Sequence, residues 1–119
     1  MTILKFEDIF AWQKAQNLAV EIYKNLGNIK DYGFKDQICR AVVSISNNIA
    51  EGFDRSSNAE FVRFLYISLA SCSEVKSMLY LSEKLNYTTN EQSKILLVQT
   101  SEVHKMTRGL IAYIKNQQK

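Results

Sequence analysis

A chain of 119 residues with 46% hydrophobic content has the length and composition of one ordinary globular domain, able to bury about two-thirds of the surface its unfolded form exposes. The net charge is a modest +3, and no run approaches the roughly 18 consecutive apolar residues of a membrane span, so no membrane partner is expected. The opening MTILKFEDIF carries early acids and no charged-then-apolar export pattern, which leads to a cytoplasmic expectation.

The chain contains no proline and only four glycines, a composition that favours helix throughout. The first predicted helix runs over about 7–27. Trp12, Ala15, Ala19, Ile22 and Leu26 recur at three- and four-residue steps along it, and Leu26-Gly27-Asn28 reads as its stop. The second, about 33–52, places Phe34, Ile38, Ala41, Ile45, Ile49 and Gly52 on one side. Cys39 here and Cys72 in the next helix lack metal-type spacing, and in a reducing compartment both are expected as buried small hydrophobes. The third, about 57–86, opens at Ser57 with Glu60 three residues on, a capping box in which each side chain satisfies an orphan amide. It continues through Phe61, Leu65, Ser68, Cys72, Val75, Leu79 and Leu85 to the polar Asn86-Tyr87. Thr89 with Gln92 repeats the capping logic for a fourth helix, about 90–117.

Four helices joined by three short connections must run antiparallel to their neighbours, so the predicted fold is all-α: one up-down-up-down four-helix bundle spanning 1–119. The third and fourth helices are near thirty residues each, roughly 45 Å at 1.5 Å per residue, and the first two nearer twenty. Unequal lengths leave apolar surface on the long pair that the short pair cannot cover, and that surplus is expected to be an oligomer interface. Phe10, Tyr66 and Tyr80, off the main stripes, are the aromatics expected to fill it.

The segment QICRAVVSISNNIAEGFDRSSNAEFVRF, residues 37–64, holds the densest pattern. Gln37, Ala41, Ser44, Asn48 and Glu51 follow a three-four path beside the apolar seam, so Asn48 is expected to bond a partner on a facing helix. Glu51 and Arg55 flank the end of the second helix, and Glu60 and Arg63 open the third, close enough for charge pairs across the corner. These residues, with Gly52, read first as fixing bundle register and corner geometry, and second as a surface for a ligand or partner protein.

This segment closely resembles the four-helix-bundle family encoded by intervening sequences in bacterial 23S ribosomal RNA genes. The resemblance rests on Ser44, Ile45, Asn48, Ile49, Ala50, Glu51, Gly52, Arg55, Glu60, Phe61, Arg63 and Phe64, and extends to Phe6-Glu7-Asp8-Ile9, Trp12-Gln13-Lys14-Ala15, Tyr23 and Tyr32-Gly33-Phe34. Ser46 stands where relatives have proline, and Cys39 precedes a single Arg40 where they have an arginine pair. The resemblance implies a homopentameric ring. A related branch, the accessory variability protein of diversity-generating retroelements, implies binding to RNA or DNA and to a reverse transcriptase.

Charge is unevenly placed. Residues 1–102 hold eleven basic and twelve acidic residues, whereas 103–119 hold Lys105, Arg108, Lys115 and Lys119 and no acid. With Ser101 and Ala112 these four step by four and three along one helical face, opposite Leu96, Gln99, Val103, Met106, Leu110 and Tyr113. Such a stripe is either a solvated face complementing the helix dipole or a surface that tracks phosphates, multiplied around a ring. It has no interleaved exposed aromatics for base stacking.

An enzyme is not expected. His104 is the only histidine, Glu102 lies two residues from it on a different face, and no glycine-rich phosphate loop or zinc spacing marks a cofactor site. The reading is a non-catalytic homo-oligomeric assembly or adaptor module without cofactor or metal. Its alternative is a nucleic-acid-binding accessory factor that uses Lys105, Arg108, Lys115 and Lys119.

Overall fold

The computed structural model describes residues 3–117, and within them a 3-10 turn at Phe6–Asp8 leads into four helices: α1 Phe10–Leu26, α2 Tyr32–Phe53, α3 Asn58–Lys84 and α4 Asn90–Asn116. Each packs against its sequence neighbours, and α1 closes the ring against α4. This is the expected antiparallel bundle, drawn out to 48 × 22 × 19 Å. The expected helix boundaries hold to within three residues, the largest difference being at the start of α1, where Phe6–Asp8 winds as 3-10 before Ile9 breaks to extended backbone.

The core is built of aliphatic side chains fully removed from solvent, among them Leu18, Ile22, Leu26, Ile38, Ile45, Ile49, Leu65, Leu79 and Leu96. Burial of each such side chain contributes about 1.5–3 kcal/mol. The α1 stripe is rotated from the expected one: Ala11 and Leu18 are buried with Ala15, Ile22 and Leu26, while Trp12 and Ala19 lie at the margin. In α4 the inward face is likewise turned, with Thr100, Thr107, Ile111 and Ile114 buried beside Leu96 and Val103, and Met106, Leu110 and Tyr113 half-buried. Thr100 and Thr107 escape hydropathy reading because each hydroxyl donates back to the carbonyl one turn earlier, Leu96 and Val103, and so enters the core already bonded. Cys39 and Cys72 are buried free thiols, and burial pushes the Cys72 thiol up to about 12.

The helix ends follow the caps. Thr89 and Gln92 form a reciprocal capping box at the start of α4. Ser57 accepts from the Glu60 amide at 3.2 Å, but the Glu60 carboxylate turns to Arg63, so only half of the expected box forms. Helix α3 ends in a Schellman turn: Asn86 takes φ 62°, with Tyr87 N bonded to Ser82 O and Asn86 N to Glu83 O.

The pole holding the α1–α2 and α3–α4 connections is stitched together. Thr88 bridges the buried hydroxyls of Ser82 and Ser93 at 2.8 Å each, and Gln92 donates to Asn25 of α1 at 3.0 Å. Asp31 caps α2 through the Phe34 amide and accepts the Tyr87 hydroxyl at 2.7 Å. That hydroxyl, and secondly the Phe34 amide, hold the Asp31 carboxyl below its ordinary value. A carboxyl depressed on folding stabilises above the ordinary carboxylate range, and the stabilisation is lost as pH falls through the depressed value. Tyr87→Phe is expected to move the Asp31 midpoint upward in an NMR carboxyl titration; an unmoved midpoint would show that this bond is absent in solution.

Candidate helix corner and basic face

The corner between α2 and α3 spans only residues 54–57 and is shaped by a missing side chain. Gly52 is buried, and a Cβ there would lie 2.6 Å from Phe64 Cβ, 3.0 Å from Phe61 Cδ1 and 3.3 Å from the Phe61 carbonyl oxygen. The two helices therefore meet almost backbone to side-chain root. Phe61 then stands edge-on to Phe53 with centroids 5.9 Å apart. The Phe64 ring receives two guanidinium groups, Arg55 at 4.6 Å and Arg63 at 5.8 Å from its centroid.

The charge pairs run within each flank and not across the corner. Arg55 faces Glu51 at 4.0 Å, and Arg63 faces Glu60 at 3.2 Å. The expected cross-corner pairing gives way because both arginines are drawn over the shared Phe64 ring, where a cation–π contact competes with an exposed ion pair of at most about 1 kcal/mol. With Asp54 the corner carries three acids, Glu51, Asp54 and Glu60, against two bases, Arg55 and Arg63. A phosphate would find no net attraction there.

Asn48 also differs from expectation. Its amide donates to Ser44 O at 2.8 Å and Ser44 Oγ at 2.9 Å, both on its own helix. Ser44 Oγ carries the link across to Ser71 Oγ at 2.9 Å, and nearby Ser68 donates to the Ile45 carbonyl at 2.9 Å. The polar bridge between α2 and α3 is thus made by hydroxyls, with Asn48 orienting one of them. Ser46 is buried in an unbroken helix, accepts from Gln16 of α1 at 3.0 Å and bonds the Val43 carbonyl.

On α4, Lys105, Arg108 and Lys115 are exposed together with Ser101 and Ala112, while Lys119 lies outside the described residues. None of the three forms an ion pair with a carboxylate among the described residues, in contrast to Lys14, Lys24, Arg55 and Arg63. Lys115 instead donates to the Tyr66 hydroxyl at 3.1 Å and lies 5.3 Å from that ring's centroid. The stripe therefore does have an aromatic beside it, supplied by α3, which a reading of α4 alone misses.

Helix α3 further adds Lys76, which acts on His104 together with Arg108. His104 is half-buried and not the ordinary surface histidine its sequence position suggests. Burial first, and then the two cations, hold the imidazole below its ordinary value. The His104–Arg108 spacing of four was visible in the sequence; the approach of Lys76 depends on how α3 and α4 register.

Outward from the core, α3 presents Tyr66, Ile67, Ala70, Ser73, Ser77, Tyr80 and Leu81 over four turns, all exposed. Glu74 is the one charge toward the middle of this face. Apolar on both sides, α3 has the weakest amphipathic asymmetry of the four helices. No described helix is long and apolar enough to cross a membrane.

The family described as 23S rRNA-intervening sequence protein matches over residues 7–109. Among solved structures, a crystal structure from Bacteroides thetaiotaomicron, of a protein of unknown function from the S23 ribosomal protein family, aligns with a TM-score of 0.79 at 30% identity. The alignment covers 85% of this chain and 97% of that one. No curated protein matches the sequence.

Proposed function

The chain belongs to the 23S rRNA-intervening sequence protein family, and from that premise we propose that it is a non-catalytic, homo-oligomeric assembly or adaptor module, pentameric in its working form. The observation that carries this reading is the outward face of α3. The bundle covers only the inner side of α3, and the outer side leaves large apolar side chains in solvent between its polar groups. Tyr66 at 47%, Ile67 at 43%, Tyr80 at 52% and Leu81 at 46% exposure supply the area that a second copy would bury. The corner supports the same reading, since Gly52, Arg55, Arg63 and their acids set the angle at which α3 leaves α2.

The absence of a catalytic role is part of the proposal. Three of the shifted groups belong to structural contacts: Asp31 and Tyr87 hold each other at a helix cap, and Cys72 is an inert buried thiol. The test is light scattering on the purified chain. A mass five times the 13.7 kDa of one chain is expected, and a monomer at micromolar concentration would overturn the reading.

A second reading, binding of RNA through the basic face, is favoured by Lys105, Arg108 and Lys115 having no carboxylate partner among the described residues. Lys105→Glu with Arg108→Glu is expected to lower affinity for a generic structured RNA by roughly ten-fold or more at 50 mM salt, and to flatten the salt dependence by about 0.9 per lost phosphate contact. A pure adaptor would show no RNA binding at low salt, and the double variant would keep its oligomer.

A further inference from the structure

Helices α3 and α4 do not close fully along their outer edge. Between them lies a groove of about 300 Å³ lined by Cys72, Ser73 and Lys76 from α3 and by Thr100, Ser101 and His104 from α4. Arg108, one turn beyond His104, and Lys76 across the groove are the charged groups that act on the imidazole. No acid opposes them: Glu102 is turned to Lys14 of α1 at 3.4 Å, and Glu74 accepts from Gln37 of α2 at 3.3 Å. The Ser73 and Ser101 hydroxyls are exposed and stand free to donate. Cys72, with its thiol pushed up by burial, adds a neutral floor.

One cation on the α3 wall, a second one turn beyond the imidazole, two hydroxyl donors, an imidazole able to add a proton and no carboxylate among the lining residues are the features that select a tetrahedral oxyanion. We infer that the α3–α4 groove is a phosphate-binding site, with Lys76 in the groove holding the charge, Arg108 adding to the field from one turn beyond His104, and Ser73, Ser101 and His104 donating to the oxygens. It deepens the RNA reading and rests on it only for the source of the phosphate, a phosphodiester of a bound strand. A free phosphate or phosphomonoester carries the same chemistry. A bound anion would offset the repulsion His104 feels from Arg108 and Lys76, so the imidazole takes up a proton as the ligand arrives. Binding of a phosphodiester, which does not titrate between pH 5.5 and 7.5, therefore tightens as pH falls through that window.

The test follows the His104 imidazole by NMR while the intact protein is titrated with pyrophosphate and, separately, with a structured RNA at 50 mM salt. Affinities are measured alongside for Lys76→Gln, His104→Gln and the remote control Lys30→Gln. The expected result is an upward shift of the His104 midpoint with both probes. With it go a roughly five-fold loss of RNA affinity in Lys76→Gln, a salt slope lower by about 0.9, and a pH dependence that disappears in His104→Gln. Lys30→Gln should stay near wild type. A shift with pyrophosphate but not with RNA supports the groove and assigns it to a free phosphate, removing the strand as its source. No shift with pyrophosphate, together with RNA binding that leaves His104 unmoved and is indifferent to Lys76→Gln, overturns the groove while the basic face stands. No response to either probe overturns both.

Discussion

Gly52→Ala is expected to destabilise the protein by about 1–3 kcal/mol, the opposite of what the same exchange does on an open helix, where alanine gains up to about 1 kcal/mol. The added methyl would meet Phe64 Cβ at 2.6 Å, and that atom is fixed to the backbone and cannot rotate aside. Relief requires α2 and α3 to separate. Separation would loosen the Phe53–Phe61 edge contact, worth about 0.5–1.5 kcal/mol, and draw Phe64 away from Arg55. Gly109 of α4 provides the internal control, because nothing lies within 4 Å of where its Cβ would be. Gly109→Ala is expected to stabilise by roughly 0.5–1 kcal/mol through helix propensity alone. Urea denaturation of both variants, at one fixed protein concentration so that association enters each comparison at the same concentration, reads the contrast. Equal signs for the two substitutions would sink the close-approach argument.

The second large effect concerns assembly. Ile67→Glu combined with Leu81→Glu is expected to convert the oligomer to a monomer of 13.7 kDa while leaving the bundle folded. Both side chains are nearly half exposed in the single chain, 43% and 46%, so they contribute little to its core. In an oligomer every copy would bring two carboxylates into an apolar contact without partners, at several kcal/mol for each burial. Light scattering gives the mass and far-ultraviolet circular dichroism the helicity. A double variant that kept the wild-type mass would remove α3 from the interface. One that lost its helicity together with its mass would show that the face supports the fold of the single chain.

Much of this was legible in the sequence, and the reasons are particular. Ser57, Thr89 and Asn86 mark helix ends through local hydrogen bonds, which depend on a few consecutive residues and are readable from them, whereas the Asp31 cap of α2 was not singled out. The α2 stripe Phe34, Ile38, Ala41, Ile45, Ile49 and Gly52 is buried throughout, as its spacing requires. The faces of α1 and α4 were less legible because alanines and threonines blur their apolar edge: Ala11, Thr100 and Thr107 are core residues that hydropathy does not single out. What depended on helix register was not legible at all. Arg55 reaching the Phe64 ring and Lys76 approaching His104 follow from how two cylinders are set against one another, and the Ser44–Ser71 contact leaves Asn48 to bond one turn back on its own helix.

The shortness of the α2–α3 corner has a kinetic consequence. Four residues join the two helices that share the most extensive packing in the bundle, so closing that hairpin loses the least chain entropy for the largest burial. The α1–α4 contact, which spans nearly the whole sequence, is the natural last step. A perturbation at Gly52 should then appear mainly as slower folding, and one on the α1 face toward α4 mainly as faster unfolding.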